Sequence, residues 1–366
     1  MNELIINIDD LVHNINEIKS KEKKDYTIIS VVKGNAYGCE MNKYVEILND
    51  MDIDFFAVAS FKEALDFRKE FNYKLLLLTP YFDEKILNDL IDKDVVLTID
   101  SIKQAILIDK IAKEKDKKVI AHIKIDTGLN RYGFKYTNYE EVMNVINNTE
   151  NIIYEGIYSH FSNSLRNNSS FSELQYNRFI NIIEKLKENN IEFDLKHICN
   201  SSGYFKYKNM HLNAARIGSA FIGRAVGIKN NLKQIGTFHT KVTKVIEVKK
   251  GETIGYANSF IAKKDMKVAI LPTGYFDGIG KTLVDQRFIF KSKVKRILID
   301  LKKLFNQDYY MINNYKVVGQ IGMHDVVIDI TNSDIKINDD IYFNVKPTLI
   351  DSSIKRVYKD NNKQDI

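Results

Sequence analysis

Lys33 closes an apolar, β-branched run, Thr27–Val32, and opens a tight turn, Gly34-Asn35-Ala36-Tyr37-Gly38. Such a run reads as a buried parallel strand that delivers one amine to a strand-to-helix loop. A partly desolvated amine in that place has a lowered pKa and can form a Schiff base with an aldehyde. For any single lysine a solvated loop position is the commoner outcome. Other residues argue against it here. Lys124, Asp126 and Arg131 lie at and just beyond the end of the run Lys118–Ile125, and His160 follows Ile152–Ser159. Asn200 and Ser201 follow Phe193–Cys199, and Arg216 and Gly218 end Ala214–Gly218. Each alone has an ordinary explanation: a histidine caps or packs, and Arg131 can pair with Asp126. Their joint arrival at the ends of successive apolar runs is what those explanations leave out.

The elements that must hold these residues follow from periodicity. Eight strand-like runs lie between Tyr26 and Gly223: the five already named, with Asp54–Ala59, Lys74–Thr79 and Val95–Ile99. Phe61–Phe71, Ser101–Lys115 and Ser172–Asn189 carry apolar residues at helical spacing, with Asp100 or Ser101 as a candidate cap for the second. This alternation predicts an α/β fold, a (β/α)8 TIM-type barrel, with functional side chains at the C-terminal strand ends. On pattern alone a doubly wound open sheet is the runner-up. After Lys229 the texture changes to β-like runs, at Phe238–Val248, Lys267–Leu271, Arg296–Asp300, Tyr315–Ile321, Val326–Ile330 and Ile341–Val345. The expected division is a barrel over 1–229, whose first residues pack with the second domain, and a mainly-β domain over 230–366.

Composition narrows the classes. The chain has 366 residues, 44% hydrophobic, with a formal net charge of +6. Lysines and acids are interspersed, so no basic stripe points to nucleic acid. Cys39 and Cys199 lack metal-ligand spacing, which predicts a reduced, cytoplasmic protein with no metal site. No run approaches the roughly 20 apolar residues of a membrane span.

These segments resemble the alanine racemase family, fold-type III enzymes that use pyridoxal 5′-phosphate (PLP). The resemblance is carried by Val32-Lys33-Gly34-Asn35-Ala36-Tyr37-Gly38, Lys124–Phe134, Tyr158-Ser159-His160-Phe161, Cys199-Asn200-Ser201-Ser202 and Arg216-Ile217-Gly218. Further along it rests on Ile254-Gly255-Tyr256, Leu271–Gly278 and Gly319–Met323. It implies an isomerase interconverting L- and D-alanine, with D-alanine feeding cell-wall synthesis. It implies Lys33 as the cofactor-binding lysine and one base, and Tyr256, reaching across from the other subunit of a homodimer, as the second. Tyr37, Ser201 and Gly218 are expected at the cofactor phosphate, Arg216 at its ring nitrogen, and His160 and Asn200 around it. Arg131 is expected at the phenolic oxygen and the substrate carboxylate, with Met323 as a second substrate contact. Lys124 has the family's spacing for a carbamylated lysine.

The pattern departs at three places. His324 and Asp325 follow Met323 where the family has Asp then Gln. Ser352 stands in place of a tyrosine, and Ile222 in place of a Tyr before Gly223. These changes make a racemase preferring serine, or another small neutral amino acid, the alternative to one acting on alanine. A catalytically silent PLP-binding protein and a decarboxylase on the same barrel are weaker readings. The former lacks a second domain, and the latter's cysteine-containing C-terminal motif is missing.

Overall fold

Eight short parallel strands carry the residues singled out above. In the computed structural model, residues 2–21, 26–164, 169–226, 230–282 and 310–360 are described, with 294, 297 and 298 as isolated positions. The strands are Thr27–Val31, Phe55–Val58, Lys74–Leu77, Leu97–Ile99, Val119–Asp126, Ile152–Tyr158, Leu195–Asn200 and Ala214–Ile217. Numbered in that order, they pair 3-2-1-8-7-6-5-4. A parallel bridge between Leu76 and Val96 brings the two ends of the path together. The arrangement is the predicted barrel, not the open sheet. Its strands are apolar runs because both faces are covered: Phe55–Val58 is buried throughout, as parallel sheets require.

The expected helices appear at Phe61–Glu70, Ile102–Glu114 and Ser170–Glu188. Among the described residues Ile8–Lys19, Met41–Asp50, Glu84–Asp92, Tyr139–Asn147 and the short Ser201–Lys206 are further helices, not anticipated from periodicity. Ser101 does occupy the cap position of the Ile102–Glu114 helix, but its side chain makes no capping bond. Gln104 Oε1 instead accepts the Asp100 N–H at 3.0 Å.

The chain separates into two units: Ile8–Ile235, and Met1–Asn7 together with Gly236–Ile366. In the second, Glu3–Asn7 lies between Gly236–Lys241, antiparallel, and Lys355–Lys359, parallel. Asp340–Asn344 completes this four-stranded sheet. A three-stranded antiparallel sheet, Lys244–Val248, Met266–Leu271 and Val326–Asp329, packs Val248, Met266 and Val268 with Ile254, Ala262 and Val318. The expected single run Phe238–Val248 is therefore two strands in different sheets. Of Tyr315–Ile321 only Tyr315–Lys316 is strand. The expected run Arg296–Asp300 lies outside the described residues except for Ile297 and Leu298, which are helical. Lys229 and the last residues of the polar tail, 361–366, also lie outside them.

Candidate active site

Lys33 leaves its strand into an unusual turn. Gly34, Asn35, Ala36, Tyr37 and Gly38 all have φ between 52° and 84°, the left-handed region. Each non-glycine residue there is disfavoured by roughly 1–2 kcal/mol, so neighbours must hold it. Gly38 N–H donates to Gly34 O at 2.8 Å and Met41 N–H to Asn35 Oδ1 at 2.9 Å. Gly34 N–H donates to Glu63 Oε1 at 2.6 Å. This turn sets Lys33 and Tyr37 on one cavity.

The cavity has a volume of about 280 Å³ and sits within the barrel unit. Lys33, Tyr37, Lys124, Arg131 and His160 line it, as do Asn200, Ser201, Arg216 and Gly218. All nine barrel residues expected at the site therefore meet at one place. Among the described residues the side chains of Lys33, Lys124, Arg131 and Arg216 face it and no carboxylate does, a donor set suited to an anion.

Arg216 is buried at the base of this group. Its NH2 donates to Ser159 O at 2.6 Å and to His160 Nδ1 at 3.1 Å. Its NH1 meets His197 Nδ1 and His197 O. A guanidinium has five N–H groups; four are engaged this way, and Nε–H has no partner among the described residues. Burial lowers the Arg216 pKa only to about 10, so it stays cationic. Burial, then Arg216 and Lys124, push His160 well below the usual histidine range, so it is neutral.

Lys33 has its pKa lowered by burial first and by Arg131 next, with Glu63 opposing. Lys124 is 4% exposed, and its pKa is driven well down by burial, Arg216 and Arg131. Its Nζ has no ion pair or hydrogen bond among the described residues and lies 4.1 Å from the centre of the Tyr158 ring. Arg216 stands over the same ring at 4.7 Å. The sequence reading passed over Tyr158 as a lining residue. The signal available was its place one residue before the end of an apolar run. Asp126 does not pair with Arg131: it accepts from Lys135 Nζ at 2.5 Å and from Gly128 and Asn130 N–H, both at 3.0 Å.

The N–H groups of Gly218 and Ala220 converge on Ser201 Oγ at 3.1 and 3.2 Å. Gly218 N–H is thus engaged by Ser201 Oγ. Gly218 also keeps space, because a Cβ there would meet Tyr37 Oη and lie 2.6 Å from Tyr37 Cε2. Asn200 Oδ1 accepts from Gly203 N and Ser164 Oγ, which leaves its amide N–H groups as donors.

Tyr256 and Met323 belong to the second unit and are 70% and 50% exposed. The loop of Asp277 fixes the surroundings of Met323. Asp277 Oδ2 accepts from Thr273 Oγ1 and Gly274 N, and Phe276 N–H donates to Met323 O at 3.1 Å. His324, one of the departures, packs its ring on Phe276 at 5.1 Å. Among the described residues no cluster of His, Cys, Asp or Glu has the makings of a metal site, and no helix is long and apolar enough to cross a membrane.

Known proteins resemble this chain along most of its length. The family models for the alanine racemase N-terminal domain and the alanine racemase C-terminal domain match residues 6–225 and 235–353. Alanine racemase 1 of Caldanaerobacter subterraneus subsp. tengcongensis is 30% identical over 336 residues, covering 89% of this chain and 85% of that protein. The alanine racemase of Borreliella burgdorferi is 32% identical over 338 residues, covering 89% and 84%. The fold is shared with the alanine racemase structure from Clostridium difficile, at a TM-score of 0.84 with 24% identity over 99% of this chain and 96% of that one. It is shared too with that from Bacillus anthracis with bound L-Ala-P, at 0.81 with 22% identity over 99% and 96%. Two matching domain families in sequence order, and relatives of this similarity along most of the chain, mean that it belongs to the alanine racemase family of amino-acid racemases.

Proposed function

We propose that this racemase interconverts L- and D-alanine with PLP as cofactor, using Lys33 and Tyr256 of the partner subunit as proton carriers on opposite faces of Cα. The observation that carries this reading is the cationic cavity in which an amine of lowered pKa shares a wall with a guanidinium keeping one N–H unspent. The donor set fits PLP. Tyr37 Oη, the Ser201 hydroxyl and the space kept by Gly218 suit its phosphate, Arg216 Nε–H its ring nitrogen, and Lys33 its aldehyde carbon. When bound, PLP withdraws electrons and so makes the substrate Cα–H acidic.

The chain's own residues do the rest. Lys33, once freed and neutral, takes or returns the proton on its side, and its partial burial favours that neutral form. Tyr256 serves the other face. A phenol has a reference pKa of about 10 and needs a donor to act as a base near neutrality. His160 supplies one: with Nδ1 turned to Arg216, its neutral ring keeps Nε2–H for the Tyr256 oxygen. Arg131 and Met323 orient the substrate carboxylate. Arg216 cannot take up a proton and so leaves the ring nitrogen unprotonated, which restrains competing chemistry.

The high exposure of Tyr256 supports its donation to a second copy of the chain, in a homodimer with shared sites. The same carriers serve L-serine, for which Ser352 and His324 are the residues to watch. The test is chiral product analysis of purified protein given PLP and L-alanine or L-serine. Formation of D-alanine, abolished in Tyr256→Phe while PLP absorbance persists, is expected. Equal racemisation by that variant would remove Tyr256 from the mechanism. A preference for serine would move the substrate assignment.

A further inference from the structure

The contacts under Arg216 do not stop at His197. They run on into the barrel core. His197 Nε2 lies 2.9 Å from His122 Nδ1, and His122 Nε2 lies 3.1 Å from Glu155 Oε2. The other oxygen of Glu155 is paired with Lys74. Both imidazoles are fully buried, and neither they nor Glu155 line the cavity.

Every proton in this row has its place dictated by its two ends. A guanidinium only donates, so His197 Nδ1 must accept. A neutral imidazole has one N–H, so His197 carries it on Nε2 and donates to His122 Nδ1. His122 then carries its own on Nε2 and donates to Glu155, whose carboxylate only accepts. Reversing either ring, or protonating it fully, would set two donors face to face inside the barrel, where an unmet donor is costly. The electrostatics agree. Burial keeps both histidines neutral. Burial would raise Glu155, but its bonds to His122 and Lys74 hold it down at about 2. Tyr158 stacks on His197 at 4.9 Å with an interplanar angle of 2°, which fixes the ring plane.

We propose that Glu155 is a positioning residue of the active site: acting through His122 and His197, it fixes the acceptor that holds Arg216 NH1 and so the direction of the guanidinium's unspent N–H. Its effect on catalysis rests on the reading that Arg216 meets the cofactor ring; the proton order does not.

Two measurements test this. Nitrogen-isotope NMR of histidine-labelled holoenzyme should show His122 and His197 both neutral and protonated at Nε2 across neutral pH. An Nδ1–H or imidazolium signal from either overturns the proposal, whether or not the protein racemises anything. Glu155→Gln should lower kcat roughly tenfold, with KM for alanine changed less than about threefold, and should shift the absorption maximum of bound PLP. An unchanged kcat and spectrum in that variant overturns the positioning role and leaves the racemase assignment standing. If Glu155→Gln does not fold, Lys74→Met carries the test. It weakens the carboxylate's anchor, and a smaller shift of the same sign is expected; none would overturn the proposal.

Discussion

Glu63 accepts the Gly34 N–H at 2.6 Å with one carboxylate oxygen, and the N–H groups of Ala59 and Ser60 at 2.9 and 3.1 Å with the other. One side chain therefore ties the end of the first barrel strand to the end of the second, beside Lys33. Glu63→Gln exchanges an acceptor oxygen for an amide that faces donors. Stability should fall by about 1–3 kcal/mol, read as a lowered Tm. The lost charge also raises the Lys33 pKa in the native protein. Removing it should lower that pKa further, so the rising limb of the kcat–pH profile moves to lower pH. A limb that moves upward or stays put would separate Glu63 from Lys33 electrostatically.

The proposed sharing of sites between subunits predicts complementation. Lys33→Ala and Tyr256→Phe should each be inactive as homodimers. Mixed and reassembled in equal amounts, they form hybrids in which one site carries both lesions and the other neither. Recovery of about a quarter of wild-type activity is expected from this two-fold arrangement. No recovery, in mixtures shown to exchange subunits, would place both groups on one protomer.

The proposed carbamylation of Lys124 follows from its lowered pKa, since a neutral amine is the form that takes up carbon dioxide. The neutral amine adds it and releases one proton, and the resulting carbamate puts a negative charge within the electrostatic reach of Arg131 and Arg216. Isotope-labelled bicarbonate should give a carbamate carbonyl resonance that is lost in Lys124→Ala. Bicarbonate should restore activity to carbonate-depleted enzyme.

Gly218→Ala tests the space beside Tyr37. The new Cβ would displace the Tyr37 ring, from which it would lie 2.6–2.8 Å. The expected result is weaker PLP binding by roughly tenfold or more with a folded barrel, since overpacking of this kind is worth about 1–3 kcal/mol. Titration with PLP and a thermal melt together check it.

The barrel was legible because its strands are buried on both faces, so Phe55–Val58 and Leu75–Leu77 stand out as unbroken apolar runs. The helix Ile8–Lys19 was not, because a polar residue, Asn14, occupies its buried face and bonds Phe221 O and Lys233 O. The run Phe238–Val248 hid a change of sheet, since alternation says nothing about which partner a strand takes. Lys33, Arg216 and His160 were readable as residues at strand ends. His122, Glu155 and His197 were not, because a polar residue within a strand carries no mark of whether it faces the barrel interior. The left-handed turn was invisible for another reason. Ala36 and Tyr37 do not favour that backbone; Glu63, the turn's own bonds and the packing of Ala36 and Tyr37 in the barrel core keep them in it.

The strand Glu3–Asn7 is hydrogen-bonded to Gly236–Lys241 on one side and to Lys355–Lys359 on the other. A ribosome releases Glu3–Asn7 long before either of its neighbours. The barrel's eight strands will all have emerged while the first segment still waits for both neighbours. Its leading residues must stay unpaired through most of translation, and closing that loop is the slow, entropy-limited step expected of so distant a contact. Nascent chains arrested before Gly236 emerges should therefore hold a protease-resistant barrel behind a cleavable leading strand.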